Sequence, residues 1–293
     1  MGNFQSKPGT SEKPEKEQMK IQEAFWLTIF NGTIPVLDLP LDFARPEVQR
    51  FSGDVVKFTI EAEATEFLRG FAAEAQTTLF IVVLALGNIW LSKICNQETV
   101  VIGTGAACRR HPDIQYMAGN FQNMLALVNY PGMEKTVGQF LTEVKERAVD
   151  SFANQEYPFE ELVKKIALKR EQGRSPLFDV FFLLQEAGPE TPGPPGEPMQ
   201  GLRVKPAVYQ SQRIRFDLAL YGFDRGERLH FHLEYNTGLF KDETAAEFAR
   251  YFKDIIDVVK DNPQLKLKDI KISQPLLETK NVFTPADYRD FNF

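Results

Sequence analysis

The residues best suited to acid–base or metal chemistry in this chain are its three histidines, His111, His230 and His232. Imidazole changes its charge near neutral pH and is a common metal ligand. His230, His232 and Glu234 alternate along one predicted strand, so their side chains would share a face on which two imidazoles and a carboxylate could bind zinc. Alternation with apolar residues is also typical of a strand with one exposed face, and we favour this interpretation over a metal site.

A second group of candidate residues lies around position 120. Gly119 would let a neighbouring group approach the backbone closely, because glycine has no Cβ. Phe121 and Asn123 fall on a predicted strand, where the amide of Asn123 could hydrogen-bond to backbone across a cleft. Alternatively, Asn123 holds the surrounding structure in place and touches no ligand. The residues themselves leave both interpretations of Asn123 open.

Composition excludes several classes of function. The 34 Lys and Arg residues against 40 Asp and Glu residues give a net charge of −6, which argues against nucleic-acid binding because phosphate contacts need clustered basic residues. Cys95 and Cys108 fit no metal or disulfide pattern and indicate reduced thiols in a cytoplasmic protein. The longest apolar run, Leu79–Leu86, is far shorter than the roughly 20 residues of a membrane span. No secretory signal is evident in the polar first twenty residues.

These residues must be positioned by alternating helices and strands, which predict an α/β fold or an α+β layered sandwich. Apolar periodicity and capping residues predict helices over 21–30, 62–75, 78–94, 137–152, 158–166 and 242–259. Short β-rich runs predict strands over 54–60, 99–103, 121–128, 177–184, 214–221 and 229–235, with a hairpin turn at 224–226. Gly188–Gly201 contains five prolines and four glycines and is expected to be a surface loop. Residues 1–20 are expected to be a disordered or weakly helical lead-in.

Four stretches in order resemble the condensation domain of nonribosomal peptide synthetases. They are Gln22–Trp26 (QEAFW), Gly119–Leu125 (GNFQNML), Asn154–Glu160 (NQEYPFE) and Arg170–Phe178 (REQGRSPLF). Shorter matches are the PVLDLPLD and RP residues that follow the first stretch, Gly103-Thr104 with Arg109, and Phe216-Asp217-Leu218 followed by Glu234-Tyr235-Asn236. Three positions depart from the family's pattern, since Gln122 and Met124 replace the usual Val and Thr, and Val128 stands where an Arg is common.

The resemblance implies a chloramphenicol-acetyltransferase-like architecture of two similar lobes with the active site between them. The chain matches the C-terminal lobe, a mixed sheet with flanking helices over residues 21–275, and residues 276–293 are similar to the linker toward an adenylation domain. The family uses an HHxxxDG motif in the first lobe for proton handling. None of the three histidines is adjacent to another, and the chain has no Asp-Gly dipeptide. We therefore expect no catalytic residue in this chain.

The same resemblance implies the activity and its partners. A complete condensation domain forms a peptide bond between substrates carried as thioesters on the phosphopantetheine arms of carrier proteins, in the biosynthesis of antibiotics and other secondary metabolites. Expected partners are peptidyl carrier domains, the N-terminal lobe and the adjacent adenylation domain, with no nucleic acid, membrane, metal or covalently bound cofactor. Gly119, Phe121, Asn123 and Arg109 would line the substrate tunnel or the lobe interface. Arg174 and Ser175 would contact a carrier or a phosphopantetheine phosphate, unless they form an ordinary solvated turn.

Two alternative functions stay open at this point. The chain could be a non-catalytic module that docks carrier proteins or acts as a scaffold, which the missing histidine motif supports. It could also be part of an acyltransferase that uses free coenzyme A, although the third and fourth stretches favour carrier-bound substrates. Whether the chain is a fragment of a larger synthetase or a natural half that pairs with another polypeptide also stays open.

Overall fold

The structure is a computed structural model that describes residues 12–32, 35–48, 51–108, 122–166, 173–186 and 213–272. The helices are α1 (Glu12–Ile29), α2 (Ala62–Glu74), α3 (Leu79–Cys95), α4 (Val137–Ala153), α5 (Phe159–Lys165) and α6 (Asp242–Asp261). The strands are β1 (Gly53–Ile60), β2 (Val100–Ala107), β3 (Gln122–Asn129), β4 (Val180–Glu186), β5 (Leu218–Asp224) and β6 (Leu229–Asn236). A 3-10 turn, Leu267–Asp269, follows α6. The expected loop 188–201, the linker 276–293 and His111 lie outside the described residues.

The strands form one mixed sheet with the order β1-β6-β5-β4-β2-β3. The pairs β1–β6, β5–β6 and β2–β3 are antiparallel, whereas β4 lies parallel to both β5 and β2. The pairs β2–β3 and β5–β6 join strands that are neighbours in sequence, whereas β1 at one edge pairs with β6, so the first and last strands lie side by side. The expected mixed sheet with flanking helices is therefore confirmed.

One face of the sheet is covered by α2, α3, α4 and α6. The centre of this layer is α3, in which 14 of 17 residues are buried, as its nearly uniform apolar composition requires. Thr78 caps its start by accepting a hydrogen bond from the backbone N–H of Ile81, and Asn96 ends it in the left-handed conformation. The outer helix α6 instead turns one apolar stripe inward, with Phe248, Phe252 and Ile255 fully buried.

The observed element bounds differ most from the predicted ones at the starts of α1, β4 and β5 and at the end of β2. Helix α1 begins at Glu12 instead of Ile21, because the Glu- and Lys-rich residues before Ile21 are good helix formers, even though residues 16–20 are exposed. The strands predicted to start at 177 and 214 start at Val180 and Leu218. Before each of them the chain is bent, and Leu177 adopts a positive φ of 70°.

No single helix within the described ranges is long and apolar enough to cross a membrane. Helices α2 and α3 have the length and apolar composition of a membrane span only when they are counted as one segment, and a bend of 107° separates them.

Candidate functional site

Of the predicted tunnel or interface residues, the structure places only Asn123, since Arg109, Gly119 and Phe121 lie outside the described residues. Asn123 is the second residue of β3, which is the edge strand of the sheet. Its position brings it next to the stretch Asn154–Glu160, which leaves the end of α4 and leads into α5. The second and third family-like stretches of the sequence therefore meet at this sheet edge.

The side chain of Asn123 hydrogen-bonds to three backbone groups of that stretch. Its Nδ2 donates to the carbonyl oxygen of Gln155 over 2.8 Å and to that of Tyr157 over 2.7 Å. Its Oδ1 accepts from the backbone N–H of Phe159 over 3.1 Å. Phe159 is the first residue of α5, whose N-cap Pro158 supplies no side-chain cap, so Asn123 satisfies an N–H that the helix cannot. We call these three hydrogen bonds the Asn123 clamp.

The first family-like stretch reaches the same region through α1. The indole Nε1 of Trp26, a fully buried residue, donates to the carbonyl oxygen of Asn154 over 2.8 Å. The Tyr157 hydroxyl donates to Glu23 over 3.3 Å, and Glu23 also pairs with Lys165 of α5. Burial, followed by the nearby charge of Glu23, raises the pKa of Tyr157. The Asn123 clamp thus lies within a larger contact between α1, α5 and the edge strand.

A second polar cluster joins three distant parts of the chain. The guanidinium of Arg45 forms a bidentate ion pair with Asp217, whose side chain is only 2% exposed, and Nη1 lies 2.9 Å from Oδ1. Nη1 of Arg174 donates to Oδ2 of Asp179 over 2.5 Å. The two pairs are linked by the backbone, because the N–H of Asp217 donates to the carbonyl oxygen of Asp179 over 2.9 Å. We call these four residues the ion-pair cluster.

The ion-pair cluster was not predicted from the sequence. Arg45 and Asp217 both lie in short segments that resemble the family, which is the one signal that could have pointed to them, but 172 residues separate them. Burial and then repulsion from Asp217 raise the pKa of Asp179 to about 6, against the attraction of Arg174 and Arg45. The cluster therefore holds the bends before β4 and β5 in place, and it contains one carboxyl group, that of Asp179, whose pKa is raised.

The predicted carrier-contact residues lie at the edge of this cluster. The side chain of Arg174 is 19% exposed, and its guanidinium contacts Asp179 and the carbonyl oxygen of Leu37. The hydroxyl of Ser175 donates to the carbonyl oxygen of Arg215 over 3.1 Å. Both side chains therefore have intramolecular partners, so a phosphate would have to share them. A contact with a carrier or a phosphopantetheine phosphate stays a prediction.

His230, His232 and Glu234 occupy one face of β6, as predicted. All three are half-buried, whereas Phe231 and its alternating neighbours are buried against α6. Among the residues that the structure describes, no group of three His, Cys, Asp or Glu side chains could hold a metal ion.

The comparisons with known proteins agree with this fold. A family model described as a condensation domain matches residues 9–280. The chain is 38% identical to surfactin synthase subunit 1 of Bacillus subtilis (strain 168) over 269 residues, which cover 90% of the chain and 7% of that protein. It is 40% identical to tyrocidine synthase 3 of Brevibacillus parabrevis over 256 residues, or 87% of the chain and 4% of that protein. The chain thus spans less than a tenth of these two relatives.

Solved structures show the same architecture at lower identity. The X-domain from teicoplanin biosynthesis superposes with a TM-score of 0.78 at 23% identity, over 88% of this chain and 59% of that one. The condensation domain from the Monacolin K polyketide synthase superposes with a TM-score of 0.72 at 18% identity, over 87% of this chain and 60% of that one. At these identities the structures establish the fold, and the family follows from the model match and the sequence relatives: the chain belongs to the condensation-domain family of nonribosomal peptide synthetases.

Proposed function

We propose that the chain is the C-terminal lobe of a condensation domain and that it forms peptide bonds only together with a first lobe. The observation that carries this proposal is the coverage: the chain aligns with 59% of the X-domain chain and with 60% of the chain of the condensation domain from the Monacolin K polyketide synthase. The sequence supports it, because none of its three histidines is adjacent to another, as an HHxxxDG motif requires. The lobe alone would therefore be inactive.

In this reaction the bonds that form and break all belong to the two carrier-bound substrates. The amine of the acceptor attacks the carbonyl carbon of the donor thioester, the C–N bond forms and the C–S bond breaks. The amine loses a proton and the departing phosphopantetheine thiolate gains one, which an imidazole of the first lobe would mediate. The C-terminal lobe would hold the two carrier-borne arms in line and exclude water, a contribution that comes from orientation and needs no acid or base from this chain.

Within this proposal, Gly119, Phe121 and Arg109 line the substrate tunnel or the lobe interface, and Asn123 acts as a positioning residue. The Asn123 clamp supports that role, because its hydrogen bonds fix the start of β3, immediately after Phe121 in the chain. The partners are two peptidyl carrier domains, the first lobe and an adjacent adenylation domain, in the cytoplasm. The phosphopantetheine arms belong to the carriers.

A second candidate is a scaffold module that binds carriers without catalysis. The absence of adjacent histidines in the sequence favours it as directly as it favours a catalytic half. The difference between the two proposals is whether a first lobe restores activity.

The two functions are separated by reconstitution. The purified chain is mixed with a separately expressed first lobe from a related synthetase and two aminoacyl-loaded carrier proteins, and dipeptide is measured by mass spectrometry. Dipeptide from the mixture, with none from either lobe alone, supports the proposal. Carrier binding without dipeptide supports the scaffold, and turnover of free acyl-coenzyme A supports the third class of function. Asn123→Ala should lower the yield, whereas Asn154→Ala, which removes one exposed side-chain hydrogen bond nearby, should not.

A further inference from the structure

The sheet face opposite α6 carries a pocket beside the hairpin between β5 and β6. Its lining residues are Phe223, Arg225, His230 and His232, and its volume is about 310 Å³. Small-molecule sites begin at about 300 Å³, so the pocket can enclose a compact ligand. We call it the hairpin pocket.

The lining groups are held in place by neighbouring strands. Residues 230 and 232 lie two apart on β6, so both imidazoles project from the same face. The hydroxyl of Thr59 on β1 and Nδ1 of His230 share a hydrogen bond of 3.1 Å. The ring of His232 contacts Phe223 of β5, with 4.9 Å between centroids. The pocket therefore combines one apolar wall with two fixed imidazoles.

Two cationic side chains, Lys57 and Arg225, adjoin the hairpin pocket. Lys57 of β1 pairs in register with His232, and Arg225 lies at the tip of the hairpin. Among the described residues neither Lys57 nor Arg225 forms an ion pair with a carboxylate. The hairpin has two carboxylates, Asp224 and Glu227; Asp224 pairs with Arg69, and neither of them lines the pocket. Glu234 follows on the same face of β6 but is not a lining residue, so the described lining offers N–H donors and one positive charge with no carboxylate among them.

The nearby positive charges also affect the pKa of His232. Burial lowers the pKa of His232 first, and the charges of Lys57, His230 and Arg225 lower it further. An anion bound in the pocket would reverse this repulsion, and it would accept hydrogen bonds from groups that are already oriented.

We propose that the hairpin pocket binds a small organic oxyanion, a carboxylate or phosphate attached to a compact apolar group. The guanidinium of Arg225 and the imidazole N–H groups of His230 and His232 bind the oxyanion. The ring of Phe223 packs against the apolar part, and Lys57 adds long-range attraction. This site does not depend on the proposed condensation activity, because no substrate thioester or first lobe takes part in it.

Binding can be followed directly on the imidazoles. With ¹⁵N-labelled protein, long-range ¹H–¹⁵N spectra are recorded while phenyl phosphate, benzoate or inorganic phosphate is added. We expect saturable shifts of the His230 and His232 signals, assigned with His230→Asn and His232→Asn, and tighter binding of phenyl phosphate than of inorganic phosphate. Phenyl phosphate and benzoate together establish which oxyanion the pocket prefers.

Matched variants make the proposal falsifiable. Arg225→Gln should weaken binding at least about 10-fold, because one charge-assisted hydrogen bond is lost. Arg228→Gln in the same hairpin should leave it unchanged, since Arg228 pairs with Glu61 and is not a lining residue. Absence of saturable shifts with all three probes would overturn the proposal, as would equal effects of the two variants. Shifts of both imidazoles with zinc chloride alone would identify a metal site instead. None of these results alters the dipeptide assay, so the two proposals fail separately.

Discussion

Replacing Asn123 with alanine is the most direct test of how the edge strand is held. The substitution removes all three hydrogen bonds of the Asn123 clamp, so the carbonyl oxygen of Tyr157 and the N–H of Phe159 lose their amide partner, whereas the carbonyl oxygen of Gln155 keeps its contact of 3.2 Å with the Cys108 thiol. A small cavity would replace the amide. The backbone of β3 itself keeps its pairing with β2, so the change acts on the junction with α5 and not on the sheet.

The size of the effect follows from the number of bonds. A hydrogen bond contributes about 0.5–1.5 kcal/mol net, and a buried group left unsatisfied costs about 1–3 kcal/mol. Three bonds at a half-buried site, where water can reach some of the exposed groups, give an expected loss of about 2–4 kcal/mol in the free energy of unfolding. The matched control is Asn154→Ala, which removes one exposed bond to the carbonyl oxygen of Asp150 and should cost less than about 1 kcal/mol.

Urea denaturation followed by tryptophan fluorescence measures both variants. The chain has two tryptophans, of which Trp26 contacts the third family-like stretch and Trp90 lies in the central helix α3. We expect Asn123→Ala to lower the midpoint well below that of Asn154→Ala. If the two variants differ by less than about 0.5 kcal/mol, the clamp contributes no more than an exposed hydrogen bond does, and the positioning role assigned to Asn123 is wrong.

Three further predictions concern packing and charge. Gly103→Ala would place its Cβ 2.0–2.4 Å from ring carbons of Phe178 and should destabilise the protein by about 3 kcal/mol or more, whereas Gly105→Ala, with 3.8 Å to its nearest neighbour, should change the melting temperature little; similar losses would contradict the packing argument. Asp217→Asn leaves Arg45 without its carboxylate in a buried site and should cost about 3–5 kcal/mol in urea denaturation, so a loss below about 1 kcal/mol would refute the ion pair's role. The pKa of Asp179 in the folded protein, about 6, lies above the ordinary value of 3.8, so the native state binds this proton more tightly and stability should fall as pH rises through that interval. Asp179→Asn should remove this fall, and an unchanged pH dependence of its urea midpoint would show that Asp179 does not titrate there.

Except for the start of α1, helices and their ends could be predicted to within about two residues from local sequence, because the determining interactions are local. Thr136 begins α4 with a capping box to Gln139, three residues away, and Thr78 begins α3 in a similar way. The apolar stripe of α6 likewise identifies its buried face within one helix. Strand bounds were less accurate, since β2 extends to Ala107 through glycine and alanine residues whose strand conformation comes from pairing with β3.

The polar contacts between distant segments could not be predicted from local patterns. The Arg45–Asp217 pair depends on the order of strands in the sheet, which periodicity does not encode. The sequence left open whether Asn123 bonds to backbone across a cleft or holds the surrounding structure, and its backbone partners in the third stretch follow only from the way the chain turns around the edge of β3. The hairpin pocket has the same origin, because Lys57 reaches His232 only through the pairing of the first and last strands.

The family-like stretches therefore act, in the described part of the chain, mainly as interlocking structural elements. Trp26, Asn123 and Asn154–Phe159 come from three different stretches, and they hydrogen-bond to one another or to the same short segment. These residues therefore depend on one another, since replacing one removes hydrogen-bond partners of the others. This dependence means that loss of dipeptide in a variant of these residues cannot identify a catalytic group unless folding is measured in parallel. If a variant loses activity but keeps its stability, the residue contributes to the tunnel wall. If it loses both, the residue holds the contact between α1, β3 and α5 together.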